Sequence, residues 1–129
     1  VHYEIDEEAR ILLFDMASVR SADEVLATVM SLIAQRPELC AWDWIALGDP
    51  LPDDASHEHL AKLSAAWGKP PAVEAVTAFV TPDAFFHLWA KVMDFQFVRR
   101  KHLVVRDVAA ARSLIERRRN ARVGSPSSR

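Results

Sequence analysis

Val73-Glu74-Ala75-Val76-Thr77-Ala78-Phe79-Val80-Thr81-Pro82-Asp83 is the stretch that decides the fold. Val73 to Val80 is rich in β-branched and apolar residues and reads as a strand. Thr81-Pro82-Asp83 then opens a helix with a capping hydroxyl, a proline in the first turn and an acid at the positive end of the helix dipole. A strand that leads straight into a capped helix is half of a βαβ unit, and such units build parallel sheets.

The pattern continues on both sides. Downstream, the helix runs to about Met93, a fifth strand lies near Lys101 to Arg106, and Asp107 caps a last helix through Arg118. Upstream, Tyr3 to Ile5 and Arg10 to Met16 are short strands, joined by the turn Asp6-Glu7-Glu8-Ala9. The run Ile11-Leu12-Leu13-Phe14 is continuous rather than alternating, which predicts a strand covered on both faces. Ser21-Ala22-Asp23-Glu24 has the capping-box pattern and starts a helix that Pro37 stops. Trp42 to Leu47 is a third strand. Asp53 and Asp54 offer caps for a helix reaching Trp67, with Leu60, Leu63 and Trp67 on one face and Gly68 as its C-terminal cap.

The order is therefore β-β-α-β-α-β-α-β-α. It predicts an α/β domain: a mixed, mostly parallel five-stranded sheet, about four helices and an opening β-hairpin. Residues 1–120 are expected to form this one domain and residues 121–129 a flexible tail. The 129 residues suffice for a core that buries roughly two-thirds of the unfolded chain's surface.

Two stretches carry a resemblance to a known family. Phe79-Val80-Thr81-Pro82-Asp83 with its aromatic helix, and Asp107-Val108-Ala109-Ala110-Ala111-Arg112-Ser113-Leu114-Ile115, are similar to the fourth-strand region and closing helix of STAS domains. These are the sulfate-transporter and anti-sigma-factor-antagonist domains and their stand-alone bacterial relatives. The resemblance implies a STAS-like fold and a regulatory, protein-interacting role. Regulated members carry Asp-Ser-(Ser/Thr)-Gly at the start of the second helix and are phosphorylated on that serine. This chain has Asp53-Asp54-Ala55-Ser56-His57 there, without the glycine. Ser56 is the candidate phosphosite, although phosphate beside Asp53, Asp54 and Glu58 would meet like charge.

Motifs for chemistry are sparse. Gly48, Gly68 and Gly124 are too scattered for a phosphate cradle, and no cofactor is expected. His57 and His59 point about 200° apart on a helix and cannot share an ion, so no metal site is expected. His87, Lys91 and Asp94 share a helix face and read as a solvated cluster. An enzyme using Asp49, His57 or His87 is the least favoured class. Cys40, the one cysteine, reads as a buried inert thiol.

Trp42, Trp44, Trp67 and Trp89 read as core, or as the walls of an apolar ligand pocket. The third helix is apolar over about 160°, more than the roughly 100° a surface helix needs. Its excess edge, Phe86 and Met93, is either covered by a neighbour or exposed as a partner surface, with a homodimer the simplest outcome.

Charge divides along the chain: residues 1–60 carry 13 acids against 3 Lys and Arg, and residues 61–129 carry 5 against 13. Arg99-Arg100-Lys101 and Arg117-Arg118-Arg119 with Arg122 are basic runs without a nucleic-acid motif; the second reads as a solvated basic helix end, and no nucleic acid is expected. No apolar stretch reaches the ~20 residues of a membrane span, and Val1-His2-Tyr3-Glu4 lacks the features of a signal peptide. A cytoplasmic protein is expected. The function these features point to is a non-catalytic regulatory or protein-interaction module, with an apolar small-molecule binding domain as the alternative.

Overall fold

The hydrogen-bond ladder of the computed structural model links five strands in strict chain order, β1-β2-β3-β4-β5. Residues 2–15, 21–47, 56–67, 73–83 and 86–124 are described. The strands are β1 (His2–Asp6), β2 (Ile11–Asp15), β3 (Asp43–Leu47), β4 (Ala75–Val80) and β5 (Arg100–Val105). The helices are α1 (Ala22–Gln35), α2 (His57–Ala66), α3 (Phe86–Gln96) and α4 (Val108–Gly124). β1 pairs antiparallel with β2, and every later pair is parallel. The architecture expected from the sequence is the one observed.

The strand order dictates where the helices lie. Each crossover from β2 to β5 moves one strand in the same direction. Right-handed crossovers then place α1, α2 and α3 on one face of the sheet. The opposite face is left to α4, the only described helix that follows the last strand. The two cores match this division. Leu12, Phe14, Trp44, Ala46 and Phe79 pack with Val29, Leu32 and Ile33 of α1 and Phe86 and Met93 of α3. Ile11, Ile45, Val76 and Ala78 pack with Ala111 and Ile115 of α4. Consecutive residues of β2 thus enter opposite cores, which is why its apolar run is unbroken.

Local chemistry sets the element ends. Ser21 Oγ accepts the Glu24 N–H at 3.2 Å, and Asp107 Oδ1 accepts the Ala110 N–H at 2.7 Å. α2 departs from expectation. Its cap is Ser56, whose Oγ accepts the His59 N–H, while Asp53, Asp54 and Gly68 lie outside the described residues. A short 3-10 turn, Pro37–Ala41, was not anticipated; it carries the buried Leu39 and Cys40 under the sheet's helical face.

Three further corrections follow. Residues 121–124 continue α4, which runs unbroken from Val108 to Gly124, so they are not part of the expected tail. Phe86 and Met93 form no surface: they are 1% and 7% exposed, and Phe86 packs on Phe79 with ring centroids 4.6 Å apart. The large apolar side chains that α3 and its C-terminal turn do expose are Leu88, Phe95 and Val98. The basic run of α4 is not simply solvated. Arg118 pairs with Glu74, and Arg119 binds Asp43 at 2.8 Å and the carbonyls of Ala9 and Arg10, clasping α4 to β3 and the hairpin turn. Arg112 likewise pairs with Asp6. The basic second half of the chain is therefore interleaved with acids from the first.

Candidate functional site

Between the sheet and helices α1, α2 and α3 lies a half-open cavity of about 140 Å³. Its floor follows from the parallel register. Leu12, Trp44, Thr77 and His102 form one row across β2, β3, β4 and β5, and Phe14, Ala46, Phe79 and Val104 form the next. Ala46 sits between two phenylalanines and Thr77 beside a tryptophan, so the rows lack volume at their centre. The roof is Val25 and Leu26 of α1, Leu60 and Leu63 of α2, and Trp89 and Met93 of α3. Trp67 closes one end, 5.1 Å from Trp44 and 5.2 Å from Phe97 between ring centroids.

Two polar side chains of β5 reach this apolar space. Arg100 is 3% exposed. Its Nη1 donates to Val76 O and Thr77 Oγ1, and its Nη2 to Cys40 O and Trp42 O. The guanidinium lies over the rings of Trp67 and Trp44, at 5.4 and 5.9 Å from their centroids. Nε is buried and has no hydrogen-bond partner. Burial pushes the Arg100 pKa down to about 10, opposed by the field of Asp43, so it is a cation at neutral pH. Asp43 itself is committed to the Val76 N–H and to Arg119.

His102 stacks on Phe79 and lies beside Phe97. Its Nδ1 is 3.0 Å from Asp94 Oδ1. A carboxylate cannot donate, so Nδ1 carries the proton and Nε2 is left as an acceptor. Asp94 also takes the His102 backbone N–H at 2.7 Å and Lys101 Nζ at 3.0 Å. These bonds outweigh its partial burial and hold its pKa below the usual carboxylate value. Burial drives the His102 pKa down to about 4 against the pull of Asp94.

This imidazole makes stability depend on pH. The unfolded chain takes up a proton on His102 near pH ~6.5, whereas the folded chain does so only near pH 4. Unfolding therefore binds a proton between these values, and stability falls as pH falls through that window. The expected loss is about 2 kcal/mol from about pH 7.5 to about pH 5. Asp94 adds its own loss only below the carboxylate range. Urea unfolding at both pH values measures the effect, and His102→Asn should remove most of it. A wild-type curve that is flat over the window contradicts the assignment.

At the rim, Asp23 of α1, His59 and Ser56 stand in series. His59 Nε2 is 2.9 Å from Asp23 Oδ1, and Nδ1 is 2.8 Å from Ser56 Oγ. Asp23 accepts from Nε2–H, so in the neutral ring Nδ1 accepts from the Ser56 hydroxyl. The candidate phosphosite is thus a helix cap tied through an imidazole to α1. His57 points elsewhere, 5.7 Å from the Trp89 ring. Among the described residues no group of three or more His, Cys, Asp or Glu could hold a metal ion.

The remaining sequence candidates scatter. The His87, Lys91 and Asp94 cluster does not form, because Asp94 turns to β5 while His87 and Lys91 are exposed. Asp49 lies outside the described residues. Cys40 is buried and makes no disulfide. Trp44, Trp67 and Trp89 line the cavity, whereas Trp42 packs at the core's edge beneath Arg36. Arg100, His102 and the Asp23–His59 pair went unread as site residues. The signal for the first two was the alternation along Arg100-Lys101-His102-Leu103-Val104, which puts Arg100 and His102 on the face shared with Val104. No helix among the described residues is long and apolar enough to cross a membrane. Comparison with protein-family models, curated proteins and solved structures gives no match to the chain.

Proposed function

We propose that the chain is a non-catalytic module of STAS-like type that binds a small apolar molecule between its sheet and helices α1–α3. The observation that carries this reading is the cavity itself. A dry apolar hollow of roughly 150 Å³ takes a ligand about the size of benzene, and this one has nearly that volume. Its walls are mainly aliphatic and aromatic, and its few polar groups come from β5, Thr77 and the rim, as in a site that holds an apolar body and orients it. A ring-sized ligand held by dispersion and desolvation alone reaches a Kd on the order of 1 mM. The regulatory part of the reading rests on the order of elements and on the STAS resemblance.

Titration with toluene, followed by tryptophan fluorescence, tests the reading, since three of the four tryptophans border the cavity. A saturable change is expected, and Ala46→Leu should abolish it while leaving the far-ultraviolet circular dichroism intact. A linear response in both proteins would defeat the proposal. The Ser56–His59–Asp23 series also has the order of nucleophile, base and orienting acid, which favours an acyl hydrolase as a second reading. Two features argue against it: Ser56 Oγ is already the α2 cap, and the Asp23 carboxylate is 81% exposed. A fluorophosphonate probe is expected to leave Ser56 unmodified, and labelling there would replace the binding module with the hydrolase.

A further inference from the structure

Helix α2 roofs part of the hollow, yet none of its 10 residues is buried, whereas α1 buries Ala22, Val29, Leu32 and Ile33 and α3 buries Phe86, Ala90 and Met93. The hollow itself is the reason. Leu60 and Leu63 of α2 line it, and a side chain beside an empty space lacks attractive contacts on that side. The two ends of the helix are also held unequally. At the C-terminal end Trp67 lies 5.1 Å from Trp44 and 5.2 Å from Phe97 between ring centroids, with the Arg100 guanidinium over its ring. Nearby, Ser64 Oγ donates to Gln96 O at 2.6 Å. At the N-terminal end, among the described residues, one hydrogen bond leaves the helix, from His59 Nε2 to Asp23 Oδ1 at 2.9 Å. The Asp23 carboxylate is 81% exposed, so water competes for it. His57 adds a tilted ring contact with Trp89.

We propose that α2 is a lid over the hollow, hinged at Trp67, latched by His59 on Asp23 and drawn shut by a ligand beneath it. The pull of the ligand rests on the apolar-ligand reading above, and the hinge and latch stand without it. A ligand in the hollow supplies the contacts that Leu60 and Leu63 lack, and it does so only when α2 is down. Binding and closure are therefore linked, and a ligand shifts the lid by the difference in its affinity for the two positions. The elements with the fewest buried apolar contacts are the ones that open without unfolding the rest.

Thiol labelling of the full chain tests the lid. Ala46→Cys places a thiol on the cavity floor, while the native Cys40, buried in the same core but not lining the cavity, reports opening of the core as a whole. With a maleimide dye the new thiol is expected to react about tenfold faster than Cys40, and equal rates would overturn the lid. Adding Asp23→Ala should speed the new thiol by about threefold and leave Cys40 unchanged. No response, or the same rise at both thiols, would overturn the latch. Ser64→Ala should have the smaller effect, since Trp67 still pins that end, and a larger one would overturn the hinge. Toluene at saturation, judged by tryptophan fluorescence, should slow the new thiol and not Cys40. Toluene that binds without slowing it defeats the closure. If toluene does not bind at all, the apolar-ligand reading and the closure fall, while the labelling rates with and without Asp23→Ala still decide whether α2 opens.

Discussion

Arg100→Met is expected to lower stability by about 3 kcal/mol, although methionine matches much of the lost volume. Two opposing effects set that figure. Removing the guanidinium strips donors from the carbonyls of Cys40 and Trp42 and from Val76 O and Thr77 Oγ1, at roughly 1–3 kcal/mol for each one left unsatisfied. Against this, the mutant no longer buries a charge. The downshift of the Arg100 pKa to about 10 reflects that burial cost, about 3 kcal/mol by linkage. Several orphaned acceptors outweigh the relief. Urea midpoints at neutral pH measure the difference, which is a large share of the ~5–15 kcal/mol typical of a domain. A change within about 0.5 kcal/mol would mean that the cage is energetically idle. Lys91→Met, on an exposed side chain of α3, is the control.

Phe86→Ala is expected to cost more, about 3–5 kcal/mol, because it empties a fully buried site. Phe86 is 1% exposed, and its ring packs on Phe79, which forms part of the cavity floor. The vacated space is enclosed by the packed core between the sheet and helices α1 and α3, which cannot easily collapse into it. Phe95→Ala, on the same helix but 89% exposed, should change stability by less than about 0.5 kcal/mol. Thermal or urea unfolding of the pair decides the point: equal effects would mean that α3 presents a different face to the sheet.

Local signals explain why so much of the fold was legible. Ser21 and Asp107 were readable as caps because a side-chain acceptor bonds a backbone N–H only three residues away. The unbroken apolar run of β2 announced a strand with cores on both sides, and Ile11 and Leu12 do enter different ones. The candidate site was less legible, and its parts failed for different reasons. Phe86 and Met93 were placed on an excess edge because the width of an apolar stripe says how much must be covered, not by what; helices α1–α3 and the sheet supply the cover. Arg100 read as part of a basic run because charge composition ignores direction. One residue of strand register turns it inward, between the solvent-facing Arg99 and the half-exposed Lys101.

The amino-acid order by itself determined the element sequence, the parallel sheet with its antiparallel first hairpin, and the tryptophans as inward-facing residues. All three depend on periodicity, capping and turn chemistry, which act over a few residues. Only the tertiary structure decided that Ala46 and Thr77 leave a hollow between bulkier neighbours, that Arg100 and His102 meet it, and that Asp23 reaches His59. Those outcomes need strands and helices far apart in the chain to be brought into one register. A missing volume or an unmatched donor exists only after that has happened.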